Sequence, residues 1–340
     1  MIKDELMSVA NALVPQGKGI LAADESTGTI KRRLDSIKLE STEETRRSYR
    51  ELLFTTPRIE EFISGVILYD ETIRQKDRNG TPFSQLLSGK GIIPGIKVDK
   101  GAMDFAGFPG EKITEGLDGL RGRLVEYHSL GARFAKWRAV ITIGEGIPTP
   151  ACIDANAHAL ARYAALAQEA GLVPIVEPEV LMDGGHDIEC CEDVTTNTLE
   201  RVFSILHEHR VLLEGTLLKP NMVISGKECP KQASVNEVAE STIRCLNRKV
   251  PAAVPGIVFL SGGQSSEVAT EHLNAMNALG AQPWELSFSY GRALQDQPLR
   301  AWKGEAGNTP LAQKSFYHRA RCNGAARYGK YSKQMEATAA

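Results

Sequence analysis

The chain has 340 residues, 42% hydrophobic and 24% charged, and its 40 Lys and Arg nearly balance 42 Asp and Glu, leaving a net charge of -2. This is the composition of an ordinary globular protein, which excludes bulk disorder and collagen-like or low-complexity chains, and a core of this size needs no disulfide or metal staple. With no long block of like charge, there is no electrostatic case for nucleic acid or a membrane surface as a partner.

In chain order, short apolar, β-branched segments alternate with amphipathic helical patterns. The strand candidates are Gly19–Ala23, Gly65–Tyr69, Ile93–Val98, Phe134–Ile141, Val173–Glu177, Gly215–Lys219, Ile257–Ser261 and Leu286–Tyr290. Ser41-x-x-Glu44 and Ser234-x-x-Glu237 read as capping boxes, and Asp154 as the cap of a helix that stops near Gly171. Leu199, Val202, Phe203 and Leu206 repeat at i, i+3, i+4 and i+7, a stripe that packs on a sheet. A further helix starts near Ser265, and Thr309-Pro310 opens the last one as a cap followed by proline.

Eight strands alternating with helices are the count of a (β/α)8 barrel, a TIM barrel. A doubly wound nucleotide-binding sheet would carry G-x-G-x-x-G after its first strand, whereas here Asp24-Glu25-Ser26-Thr27-Gly28 follows. No Gly/Ser or Pro linker divides the chain, so residues 1–330 are expected to form one barrel domain and 331–340 a short mobile tail.

In this fold, catalytic groups gather at the C-terminal ends of the strands. At or just past the C-terminal ends of the strand candidates stand Asp24 on the first, Lys97 and Asp99 on the third, Lys136 and Arg138 on the fourth, Glu177 and Glu179 on the fifth, and Lys219 on the sixth. One lysine at a strand end is ordinarily a snorkelling rim residue. So many charges at corresponding strand ends would be a costly coincidence, and catalysis explains them better. A nucleophilic lysine must lose its proton, which a neighbouring ammonium and desolvation favour. Lys136 and Lys219 can play these two parts in either order, with Asp24 and Glu177 as acid/base groups.

The last two strands lead into Ser261-Gly262-Gly263-Gln264 and Ser289-Tyr290-Gly291-Arg292. Glycines let amides approach an anion, a helix N-terminus favours it, and Arg292 can pair with it. These loops are the usual phosphate site of the fold, so a phosphorylated carbonyl compound is the expected substrate. The histidines, including His207-Glu208-His209 and His186-Asp187, show neither H-x-x-x-H nor Cys/His pairing, and no metal site is expected. The six cysteines are scattered without C-x-x-C spacing, which fits a reducing compartment. Met1 to Leu6 lacks the apolar run of a secretion signal, and the longest nearly apolar run, Val250 to Leu260, falls far short of the roughly 20 residues of a membrane helix. The expected location is the cytoplasm.

Several segments closely resemble class I, Schiff-base-forming fructose-1,6-bisphosphate aldolases. They are Leu21 to Gly28 (LAADESTG), Gly95 to Gly101 (GIKVDKG), Phe134 to Arg138 (FAKWR), Val173 to Glu179 (VPIVEPE), Glu214 to Asn221 (EGTLLKPN), Phe259 to Gln264 (FLSGGQ) and Phe288 to Ala293 (FSYGRA). The resemblance runs from about Asn11 to about Tyr331. It implies that Lys219 forms the imine, Lys136 stays protonated beside it, Glu177 passes protons with Glu179 in support, and Asp24 takes the proton of the hydroxyl next to the scissile bond. It further implies that Ser261, Gly262, Gly291 and Arg292 hold one phosphate, while Ser26, Lys97 and Arg138 serve the other end of the substrate. The implied enzyme is a cytosolic homotetramer of glycolysis and gluconeogenesis that uses no metal or cofactor. After the Asp24 motif the family often has a hydroxyl and then Lys-Arg; here Thr29, Arg32 and Arg33 stand. The residues after Tyr331 include no tyrosine to match the one that ends many members. Another Schiff-base barrel enzyme, of the transaldolase kind, and a binding role beside catalysis are the competing readings.

Overall fold

A computed structural model describes residues 2–337. Its strands, in chain order, are β1 (Gly19–Ala22), β2 (Ile63–Leu68), β3 (Ile93–Lys97), β4 (Gly101–Asp104), β5 (Lys112–Glu115), β6 (Phe134–Ile141), β7 (Val173–Val180), β8 (Leu217–Leu218), β9 (Gly256–Phe259) and β10 (Glu285–Tyr290). Eight of them close a barrel in the order β1-β10-β9-β8-β7-β6-β3-β2, and every pairing is parallel. The fold is the (β/α)8 barrel expected from the alternation.

Successive residues of a strand face opposite sides, so one set fills the barrel and the other packs under the helices. Inside lie Ile20, Ala22, Ile67, Phe134, Val173, Ile175, Leu217 and Val258. Outside, Leu21, Val66, Trp137, Val176 and Leu218 join the larger core beneath the helices. Following the inner set upward along β6 and β7, Phe134 gives way to Lys136 and Arg138, and Ile175 to Glu177 and Glu179. The apolar floor therefore ends where charge begins. The opposite end is plugged by the helix Ile2–Leu13, whose Leu6, Ala10 and Leu13 are buried in the same inner cluster.

The structure corrects several local expectations. An antiparallel hairpin, β4 with β5, follows β3 and is not part of the barrel. The first capping box is absent: Thr42, not Ser41, caps the helix Glu43–Phe54, its Oγ1 accepting from Thr45 N at 3.0 Å. Ser41 is instead held by Arg46. Asp154 does not cap a helix either. Thr149 does, because Pro150 can open the helix Pro150–Glu169 while Asp154, one turn in, pairs with Arg201. Asn308 rather than Thr309 precedes the last long helix, Thr309–Ala326. The Ser234–Glu237 box and the start at Ser265 are as expected. β7 runs on to Val180, and β8 is only two residues long: Gly215 closes a tight turn, and Pro220 offers no N–H to extend the ladder. In the C-terminal segment Tyr331 is buried, and its hydroxyl donates to Glu336 Oε1 at 2.7 Å.

Candidate active site

Four charged side chains form a chain across the barrel mouth. Lys136 Nζ lies 2.6 Å from Asp24 Oδ2 and 3.0 Å from Glu177 Oε2, and Lys219 Nζ lies 3.1 Å from Glu177 Oε1. Asp24 follows directly on the barrel: Ala23 N still reaches Ile67 O, at 3.0 Å. Lys219 sits just past β8, its N–H donating to Val176 O at 2.8 Å. The side chains of Lys136, Glu177 and Lys219 are only 3%, 4% and 4% exposed, and that of Asp24 is 12% exposed. Two ammoniums and two carboxylates thus alternate within a nearly dry volume.

Burial alone would neutralise these groups. It pushes the Asp24 carboxyl up, but the Lys136 and Lys219 charges and the hydrogen bond from Lys136 outweigh it, and Asp24 is held well below the usual carboxylate range. Glu177 is likewise pushed up by burial and by Asp24, yet Lys136, Lys219 and Arg138 draw it below its ordinary value. For Lys136 burial acts downward, and the charges of Asp24, Glu177 and Asp99 overcome it and raise the group well above its usual value. Lys136 is therefore a permanent cation.

Around this chain the rim is also paired. Arg138 Nε donates to Glu179 Oε2 and Lys97 Nζ to Asp99 Oδ1. Asp99 further accepts from the backbone N–H of Arg138 and of Gly101, each at 3.2 Å, so it ties β6 to the start of the hairpin. Ser26 donates to Thr29 at 3.2 Å in the first turn of the helix Thr27–Asp35. Glu25, buried, pairs with Arg33 and with Arg50 at 2.6 Å, and accepts from Gln295 Nε2 at 2.8 Å.

On the opposite side, Gly262 and Gly263 have φ of +57° and +85°, backbone that side-chain-bearing residues rarely adopt. Gln264 N–H closes this turn on Ser261 O at 3.0 Å, and the helix Ser266–Ala278 follows. Gly291 precedes the helix Arg292–Trp302, and a Cβ there would lie 3.4 Å from Ala22 O. Arg292 makes no ion pair among the described residues and borders the same space. Two helix N-termini, a glycine turn and a free guanidinium converge on one wall, which suits a bound phosphate.

The cavity between these walls has a volume of about 460 Å³. Asp24, Ser26, Lys97, Lys136, Arg138, Glu177, Glu179, Lys219, Ser261, Gly262, Gly291 and Arg292 all line it. Every candidate residue is thus brought to one place. Asp99, Ser289 and Arg33, which the sequence places at a strand end or beside the site motifs, also line it, as does Lys227, to which the sequence pattern does not point. Arg50 is a second omission: it is buried in the helix Glu43–Phe54 and its position shows only through its partner Glu25. The lining includes no histidine or cysteine among the described residues, and its inner carboxylates are each matched by an ammonium. This donor set does not build a metal cage.

A model of the family described as fructose-bisphosphate aldolase class-I matches residues 5–340. A probable fructose-bisphosphate aldolase class 1 of Xanthomonas campestris pv. campestris is 62% identical over 329 residues, covering 96% of this chain and 98% of that protein. The Arabidopsis thaliana protein named fructose-bisphosphate aldolase 6, cytosolic, is 56% identical over 96% of this chain and 92% of its own length. Among solved structures, the fructose-bisphosphate aldolase of Plasmodium falciparum superposes with a TM-score of 0.96 at 53% identity, covering 97% of this chain and 96% of that one. Fold, site and relatives agree: the chain belongs to the class-I fructose-bisphosphate aldolase family.

Proposed function

We propose that the chain catalyses the reversible aldol cleavage of fructose 1,6-bisphosphate into dihydroxyacetone phosphate and glyceraldehyde 3-phosphate through an imine on Lys219. The observation that carries this reading is Glu177 set between two lysines, 3.0 Å from Lys136 and 3.1 Å from Lys219. A lysine nucleophile needs a nearby base to take its proton, and among the lysines of the described residues Glu177 pairs with these two. Lys136 is the worse nucleophile because two carboxylates hold its proton. Lys219 faces one.

Lys219 Nζ adds to the substrate ketone to give a carbinolamine, and the hydroxyl leaves as water after taking a proton delivered by Glu177. The resulting iminium is the electron sink. Asp24 then takes the proton of the hydroxyl next to the scissile bond, and the carbonyl of glyceraldehyde 3-phosphate forms as the carbon–carbon bond breaks. The electron pair of that bond passes into the iminium, leaving a neutral enamine. One proton on the enamine carbon and one water on the imine then release dihydroxyacetone phosphate and regenerate Lys219. Ser261, Gly262, Gly291 and Arg292 hold one phosphate; Ser26, Lys97 and Arg138 hold the other end, with Glu179 fixing Arg138. Arg292 and the glycine turns act by orientation, fixing the ketone near Lys219.

Two phosphate-binding walls favour a bisphosphate over the acceptor chemistry of a transaldolase. The test is product analysis with fructose 1,6-bisphosphate as sole substrate. Equal amounts of the two triose phosphates are expected without any added acceptor aldehyde, and a strict requirement for an acceptor would overturn the reading. We further propose a homotetramer located in the cytoplasm. The resemblance supports the first and the cytosolic Arabidopsis relatives the second. Light scattering should find a particle of four times the 37.0 kDa chain mass.

A further inference from the structure

Away from the barrel mouth, the last long helix and the C-terminal segment bring three ligating side chains together. His318 and Cys322 stand four residues apart on the helix Thr309–Ala326, so they share one face, and both are buried. His318-x-x-x-Cys322 is thus a Cys/His pairing where none was expected. Glu336, on the short helix Gln334–Ala337, is folded back onto them with its side chain 24% exposed.

His318 Nε2 lies 3.6 Å from Cys322 Sγ and 3.4 Å from Glu336 Oε2. One ring nitrogen has a single proton or lone pair and cannot aim it at both partners. Of these two distances, 3.4 Å is long for a hydrogen bond between nitrogen and oxygen, whereas 3.6 Å is ordinary for one to sulfur. They are the separations that a shared tetrahedral ion imposes: with metal–sulfur, metal–nitrogen and metal–oxygen bonds of about 2.3, 2.05 and 2.0 Å, S···N is about 3.6 Å and N···O about 3.3 Å. The three ligand atoms all lie within 4.8 Å of one another, and rotation of the partly exposed Glu336 carboxylate closes the remaining gap to sulfur.

We propose that His318, Cys322 and Glu336 form a binding site for one divalent ion of zinc's type, which fastens the C-terminal segment to the helix Thr309–Ala326. Solvent reaches Glu336 and supplies the fourth ligand. Burial keeps His318 neutral, with its lone pair available, and holds the Cys322 thiol up at about 11. Binding therefore replaces the thiol proton by the metal and releases that proton to solvent. The dication enters and one proton leaves, so the site gains one positive charge. Arg319, which donates to both Glu336 oxygens, and the nearby Arg321 oppose this gain. Tyr331 and Arg319 retain Oε1 while Oε2 turns to the ion. This site is separate from the catalytic chain, and its occupancy does not depend on the aldolase reading.

The experiment uses the full chain, reduced and freed of metal, titrated with Co2+ as a spectroscopic probe. One equivalent should produce a near-ultraviolet thiolate-to-cobalt band with strong visible bands of a four-coordinate ion, and one equivalent of Zn2+ should bleach both. Cys322→Ser should abolish the near-ultraviolet band, whereas a Cys190→Ser, Cys229→Ser double variant, which removes the two half-buried thiols, should keep it. Glu336→Gln, at a partly exposed position, should weaken Co2+ binding by about tenfold or more. A spectrum without thiolate character, or a band that survives Cys322→Ser, would overturn the proposal. Should Cys322→Ser fail to fold, unchanged affinity in Glu336→Gln would overturn it equally.

Discussion

Lys136 touches Asp24 and Glu177 at once, so its removal should be felt at both carboxylates. With it, each carboxylate is charged and its folded-state pKa is depressed. The stability this contributes is present above the unfolded carboxylate values, near pH 4, and lost as pH falls through the folded ones. In Lys136→Met, burial is opposed only by the remaining charges of Lys219, Arg138 and Lys97, and the carboxyl pKa values rise. Relative to the parent, that variant is then destabilised at neutral pH and recovers as acid protonates the buried groups. The difference in melting temperature between parent and variant should therefore shrink from pH 7 to pH 4.5, as followed by circular dichroism. A constant difference would mean that Lys136 is only packed there. Arg292 is a simpler case, since it has no ion-pair partner among the described residues to leave stranded. Arg292→Ala should raise KM for the bisphosphate by about tenfold, the roughly 1.4 kcal/mol of one exposed charge-assisted contact, and leave binding of a dephosphorylated analogue nearly unchanged. Equal loss for both ligands would make Arg292 structural.

At the level of elements, the barrel strands were legible because alternation and β-branching are local signals. Their ends were less so, because a ladder stops for reasons that sit on neighbouring strands. Leu217–Leu218 is short because of Pro220, while β7 extends to Val180 because β6 accompanies it as far as Ile141. The hairpin β4–β5 escaped notice: Gly101 to Asp104 is mostly exposed and carries no apolar stripe. Interior packing has its own signature in Gly95, where an added Cβ would lie 2.3 Å from two ring atoms of Phe134 on the adjacent strand. Gly95→Ala should accordingly cost about 1–3 kcal/mol in urea unfolding, the usual penalty of overpacking. Adding Phe134→Leu should return part of that loss. Additive losses would show that the two positions do not meet.

For the whole molecule, the strand-end charges foretold the site well: each residue singled out, from Asp24 to Arg292, lines the same cavity. What sequence could not show are partnerships between distant segments. Glu25 meets Arg50 and Gln295, Arg327 meets the backbone of Pro15 and Lys18, and Glu336 meets Arg319; none of these pairs has a spacing that announces it. The plugging helix Ile2–Leu13 likewise makes sense only once there is a barrel end to close. Nor does spacing tell which lysine is the nucleophile; the proposed choice follows the family resemblance and the carboxylates paired with each among the described residues, two for Lys136 and one for Lys219. The direct measurement is peptide mapping by mass spectrometry after borohydride reduction of the enzyme in the presence of dihydroxyacetone phosphate. The account predicts one reduced adduct per chain, on Lys219, absent from Lys219→Met. An adduct on Lys136 or Lys97 with Lys219 unmodified would contradict it.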